Sequence, residues 1–171
     1  MSASFPPHGE SKTPHTIRYS FSQRFRVPAT EAYRWCTDYD PQDNALMHEN
    51  ARREIQQISE GTIILTDTYD DQNVVTSKQR LVHLYPERLS WTSTHLTGPN
   101  KHSQFLYEII PVAENLSHLN FAGLHIEYCD SRSPNKQGIG KLASRLRKED
   151  SSAWRLLAKE MEREIGIPRS V

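Results

Sequence analysis

The chain has 171 residues, with 21 Lys plus Arg set against 21 Asp plus Glu. That length fits one domain with a real core, and the even charge balance argues against nucleic acid or an anionic membrane as the main partner. The longest apolar runs, such as Ile63-Ile64-Leu65, fall far short of the roughly 18 residues that span a bilayer, no signal-peptide pattern opens the sequence, and Cys36 and Cys129 stand far apart without a partner motif, which suits a reducing cytoplasm.

Residues 1–16, MSASFPPHGESKTPHT, hold three prolines and little to bury, and are expected to be a flexible tail. A single domain is expected over 17–171. It opens with IRYSFSQRFRV, where Ile17, Tyr19, Phe21, Phe25 and Val27 keep the period of two of a half-buried strand, ended by Pro28. PATEAYRWCTD then reads as a short helix with Thr30 as N-cap and Ala32, Tyr33, Trp35 and Cys36 at helical spacing.

Residues 38–49, DYDPQDNALMHE, carry acidic residues at positions 1, 3 and 12 of an EF-hand calcium loop. Position 6, where the sharp turn needs glycine, is Asp43, position 5 is Gln42, and Pro41 stiffens position 4. The stretch reads better as a junction between two short helices, with Asp40 as N-cap, Pro41 at the first helical position and Asp43 near the positive end of the dipole. No metal or cofactor is expected.

Six segments follow that are rich in Ile, Val, Thr, Tyr, Trp and Phe: RREIQQIS, TIILTDTYDD, NVVTSKQRLVHLY, ERLSWTSTHL, KHSQFLYEIIPV and NLSHLNFAGLHIEY. Turn signals such as Glu60-Gly61, Pro86-Glu87 and Gly98-Pro99-Asn100 separate them, and connections this short imply antiparallel pairing. After a polar loop, Ile139 to Ile165 set Ile139, Leu142, Ala143, Leu146, Ala153, Trp154, Leu157 and Met161 on one side of a helix. At about 1.5 Å per residue this is a rod of roughly 40 Å, enough to cross a curved sheet. Gly166 and Pro168 end it.

Strand, two short helices, six antiparallel strands and a long C-terminal amphipathic helix form an order that resembles the START-like, or SRPBCC, superfamily. FRVPATEAYRWCTDYD resembles its first strand and following helix, LVHLYPERLSW its paired fourth and fifth strands, and YEIIPVAENLSHLNF its sixth and seventh. The resemblance implies an α+β helix-grip fold, a seven-stranded curved antiparallel sheet wrapped around the long helix. It also implies a cavity between the two, and no shared catalytic motif, because members differ in chemistry.

Strand phase then nominates the lining. Phe105, Tyr107 and Ile109 share one face, as do Leu119, Phe121, Gly123 and His125, and Leu89, Trp91, Ser93 and His95. Turned inward, these put Trp91, His95, Phe105, Tyr107, Phe121 and His125 toward the cavity, faced by Trp154, Leu157 and Met161 of the helix and closed at one end by Leu46 and Met47. Asp150 lies in the middle of the helical apolar stripe, where an unpaired carboxylate is costly. It reads either as a polar anchor for His95, His125 or a ligand hydroxyl, or as a kink or fresh N-cap at Asp150-Ser151-Ser152.

The sequence holds no triad, phosphate loop or metal-ligand spacing. The expected function is binding, sequestration or transport of a hydrophobic small molecule such as a lipid, isoprenoid or polyketide-like compound. Neither nucleic acid nor stable membrane insertion is expected. The alternatives are a cyclase or dehydratase using the same cavity through a Tyr, His or acid, and a regulatory module that binds an unspecified protein partner.

Overall fold

The computed structural model describes residues 12–39, 51–71, 74–129 and 136–165. Its strands are β1 (Thr13–Phe25), β2 (Ala51–Ser59), β3 (Thr62–Asp71), β4 (Val74–Tyr85), β5 (Ser90–His95), β6 (Gln104–Ala113) and β7 (Leu116–Cys129); α1 (Ala29–Asp38) follows β1 and α2 (Lys136–Glu164) follows β7. The strands form one antiparallel sheet in the order β1-β7-β6-β5-β4-β3-β2. This is the helix-grip arrangement that the resemblance implied.

The hairpins form where the sequence supplies turn chemistry. Gly61, at φ 71°, turns β2 into β3, and a Cβ there would stand 3.0 Å from the Leu84 carbonyl oxygen. A 3₁₀ turn at Pro86–Arg88 joins β4 to β5. β1 begins at Thr13, four positions before the expected start at Ile17, because Thr13 to Thr16 pair with Cys129 to Ile126. Ladder bonds to β7 order a stretch whose side chains have little to bury.

α1 starts two residues earlier than expected. Pro28 caps it with φ −58° and ψ 146°, its carbonyl accepting the Ala32 N–H at 2.9 Å, so Thr30 lies within the helix and is not the N-cap. The second short helix expected after it, with Leu46, Met47 and the calcium-like loop from Asp40 on, falls outside the described residues.

α2 runs through Asp150-Ser151-Ser152 without a break, which overturns the reading of that triplet as a fresh N-cap. Ser151 donates to the Lys148 carbonyl at 3.2 Å, so its hydroxyl is satisfied along the helix instead of ending it. The far end of α2 is pinned to the start of the fold: Trp35 Nε1 donates to Glu164 Oε2 at 2.6 Å, and the Arg26 N–H to Glu162 Oε1 at 3.0 Å.

Below that end lies the main core, where Phe25, Val27 and Ala32 meet Leu65, Val82, Leu119, Ala158 and Met161. A second, aromatic cluster of Phe21, Phe105 and Phe121 fills the β1–β7–β6 side, with Tyr19, Tyr107 and Trp154 packed on it. Tyr107 of the sheet and Trp154 of the helix pack against both clusters. Among the described residues no helix is long and apolar enough to cross a membrane.

Candidate functional site

The gap between the concave face of the sheet and the middle of α2 is a cavity of about 240 Å³. One wall is aromatic. Trp91 of β5 stacks on its cross-strand neighbour Tyr107 of β6, with centroids 4.8 Å apart and planes 5° from parallel. Trp154 of α2 closes on both, at 5.7 Å from Tyr107 and 6.4 Å from Trp91. Leu157 and Ala153 complete the helical side.

The opposite wall is charged. Asp67 of β3 is 1% exposed and faces Arg53, its direct partner on β2. Arg53 grips it with a fork, Nε to Oδ1 at 2.7 Å and Nη2 to Oδ2 at 3.3 Å. Arg80 of β4, diagonal to Asp67 across the ladder, also donates to Oδ2. Burial alone raises the Asp67 pKa, but the hydrogen bond from Arg53 and the charges of both guanidinium groups outweigh it, holding the carboxyl below the usual range. The Arg80 side chain is 23% exposed and lines the cavity.

Phenols and a serine stand between the two walls. Burial pushes the Tyr39 and Tyr107 hydroxyls well above their ordinary pKa, against the pull of Arg80, so both are neutral donors. The buried hydroxyls of Tyr39 and Ser93 have no hydrogen-bond partner among the described residues, and both residues line the cavity.

Of the residues expected around the cavity, Trp91, Tyr107, Trp154 and Leu157 line it. Phe105 and Phe121 face inward as the alternation predicts, but pack with Phe21 in the aromatic cluster. Met161 is fully buried in the main core. His95 packs edge-on against Phe105 and donates from Nδ1 to Asn100 Oδ1 at 3.0 Å. Burial first, then the charges of Arg80 and Lys78, drive its pKa down to about 4, leaving it neutral at physiological pH. His125 Nε2 lies 2.9 Å from Glu127 Oε2.

Asp150 finds its hydrogen-bond partner in neither histidine: the Tyr19 hydroxyl donates to Oδ2 at 2.5 Å. Burial raises the Asp150 pKa, while that bond and the nearby His125 pull it back in part. The bond ties the middle of α2 to the edge strand β1.

Sequence reasoning missed Arg53, Asp67 and Arg80. In TIILTDTYDD, Asp67 stands in phase with Ile63 and Leu65, and Arg80 in phase with Val82, so the alternation already turned both inward. Their charge argued the other way and prevailed.

A larger hollow of about 710 Å³ lies over the outer face of the sheet, where Thr92, Thr94, Gln104, Leu106 and Leu124 alternate with the inward set. It gathers no buried charge cluster, and the inner cavity is the better candidate because converging polar groups and apolar walls meet there.

No protein-family model and no curated protein matches the chain in sequence. Solved structures do match it in shape. The Zhui aromatase/cyclase from Streptomyces sp. R1128 superposes with a TM-score of 0.67 at 15% identity, over 92% of this chain and 100% of that one. Norcoclaurine synthase from Thalictrum flavum, in complex with dopamine and hydroxybenzaldehyde, gives 0.60 at 10% identity over 99% of each chain. Ara h 8.0201 gives 0.63 at 8% identity over 87% of this chain and 98% of that one. At such identities the likeness is one of fold: the chain has the helix-grip fold.

Proposed function

We propose that the protein binds a compact, largely apolar ring compound between the sheet and α2. The observation that carries this reading is the open, aromatic-walled space framed by Trp91, Tyr107 and Trp154. Protein interiors close-pack unless something keeps them apart, and ring faces this near one another offer a flat ligand stacking as well as area burial. At about 240 Å³ the cavity sits just below the roughly 300–1,000 Å³ common for ligand pockets. That suits a ring system better than a two-chain lipid. The relatives in fold include a norcoclaurine synthase solved with two small aromatic compounds, which agrees with a ligand of this kind.

The test fills the space. Ala153→Trp projects an indole from α2 into the cavity and is expected to weaken binding of 2-naphthamide at least tenfold by calorimetry while the far-ultraviolet circular dichroism stays unchanged. Wild-type protein that neither binds such ring compounds nor releases any on extraction sinks the proposal.

A second reading, a cyclase or dehydratase in the same cavity, draws on Arg80 beside the neutral phenols of Tyr39 and Tyr107, groups able to polarise a carbonyl. Single substitutions of Arg80 and Tyr107 separate the two: a carrier loses affinity alone, an enzyme loses turnover at saturating substrate.

A further inference from the structure

The charged residues that line the cavity, among those described, are Arg53, Asp67 and Arg80, two cations and one anion. They do not share the carboxylate evenly. Arg53 spends its fork on both oxygens of Asp67, whereas Arg80 donates to Oδ2 alone. A guanidinium offers five N–H donors in a fixed plane, and the Arg80 side chain, partly exposed, lines the cavity. Ser93 stands opposite Val82, hence diagonal to Arg80 across the ladder, with its hydroxyl unpartnered. The Tyr39 hydroxyl lies on the same cavity, also without a partner among the described residues.

Stability does not explain this arrangement. A buried ion cluster commonly contributes no more than well-packed apolar side chains would, and unpaired buried hydroxyls each cost desolvation. One missing partner accounts for the surplus cation and both hydroxyls together: an anionic, planar, oxygen-bearing group. A carboxylate matches a guanidinium fork in geometry and has lone pairs left to accept from two hydroxyls.

We infer that the cavity selects a ring compound bearing a carboxylate, which Arg80 pairs and the Tyr39 and Ser93 hydroxyls orient, while Asp67 and Arg53 hold Arg80 in place. This rests on the ligand-binding reading above. It narrows the ligand class from apolar ring compounds to aromatic or polycyclic acids, seated with the acid toward β4 and the ring against Trp91 and Trp154.

The test compares two probes of one shape, 2-naphthoate and the neutral 2-naphthamide, by isothermal titration calorimetry on the full chain at pH 7.5. Wild type is expected to bind the acid at least tenfold more tightly than the amide. Arg80→Gln is expected to bring the two within about twofold by weakening the acid alone, and Arg80→Lys to restore part of the difference. Should Arg80→Gln fail to fold, Tyr39→Phe and Ser93→Ala decide the matter, each weakening the acid several-fold and the amide little. Equal binding of the two probes by wild type, or an acid preference untouched by all these changes, overturns the inference and leaves the ligand-binding reading standing. Failure of both probes to bind wild type overturns the two together.

Discussion

Asp67 holds two guanidinium groups in the interior, so removing its carboxylate strands Arg53 and Arg80 without an anion. Breaking such a cluster from one side costs about 3–5 kcal/mol, and Asp67→Ala is expected to lose that much in urea denaturation. Replacing all three residues by apolar ones of similar volume should recover most of it. The pH dependence follows from direction. Asp67 has its folded pKa depressed, so its contribution is complete above the ordinary carboxylate value of about 4 and is lost as the pH falls through the lower folded value. Asp150 has the opposite sign: its raised folded pKa favours the protonated form, a contribution present at low pH and lost as the pH rises. Substituting Asp67 should therefore flatten the acid limb of the stability curve more than substituting Asp150. At this scale the sequence was half legible. Alternation turned Asp67 and Arg80 inward, but their mutual contact depends on the register of β2, β3 and β4, and a period of two carries no register.

Edge strand β1 is held against β7 at a point where a side chain is missing. Gly123 pairs with Tyr19 on β1 and Phe105 on β6. A Cβ built on it would stand 2.9 Å from the Tyr19 ring and 3.1 Å from that of Phe121. Glycine therefore leaves room for the Tyr19 ring, whose hydroxyl then reaches Asp150 on α2. Gly123→Ala is expected to cost about 1–3 kcal/mol by overpacking and to lower hydrogen-exchange protection along β1 more than along β3 or β4. Equal loss of protection in all strands would show that the close approach is not what seats β1. The inward phases of β6 and β7 were readable because their buried residues alternate. The apolar stripe of α2 was readable too, yet its one acidic member found a partner on a strand more than a hundred positions earlier, which helical periodicity cannot report.

For the molecule as a whole, the open cavity means that apolar and aromatic surface stays incompletely packed until a ligand arrives. A ligand that binds only the folded state adds about 2.7 kcal/mol at a hundred times its Kd. Wild type should accordingly show a rise in Tm with 2-naphthoate that Ala153→Trp, its space already filled, does not show. An equal rise in both would place the binding elsewhere. The architecture was the most legible level of all, since strand count, short connections and one long amphipathic helix leave few arrangements that bury every apolar face. The character of the cavity was the least, because it is set by which polar residues the curvature of the sheet brings together.

The sheet order carries a last consequence, for the making of the protein. β2 to β6 follow one another as neighbours and can pair as soon as each is synthesised, whereas among the described residues β1 pairs with β7 alone, Phe25 meeting Ser117 and Thr13 meeting Cys129. Closing a loop of that length precedes any reward from the contacts it brings. β1 thus waits for its ladder until β7 has been made, and the cavity, whose helical wall is Ala153, Trp154 and Leu157, is completed only when α2 follows.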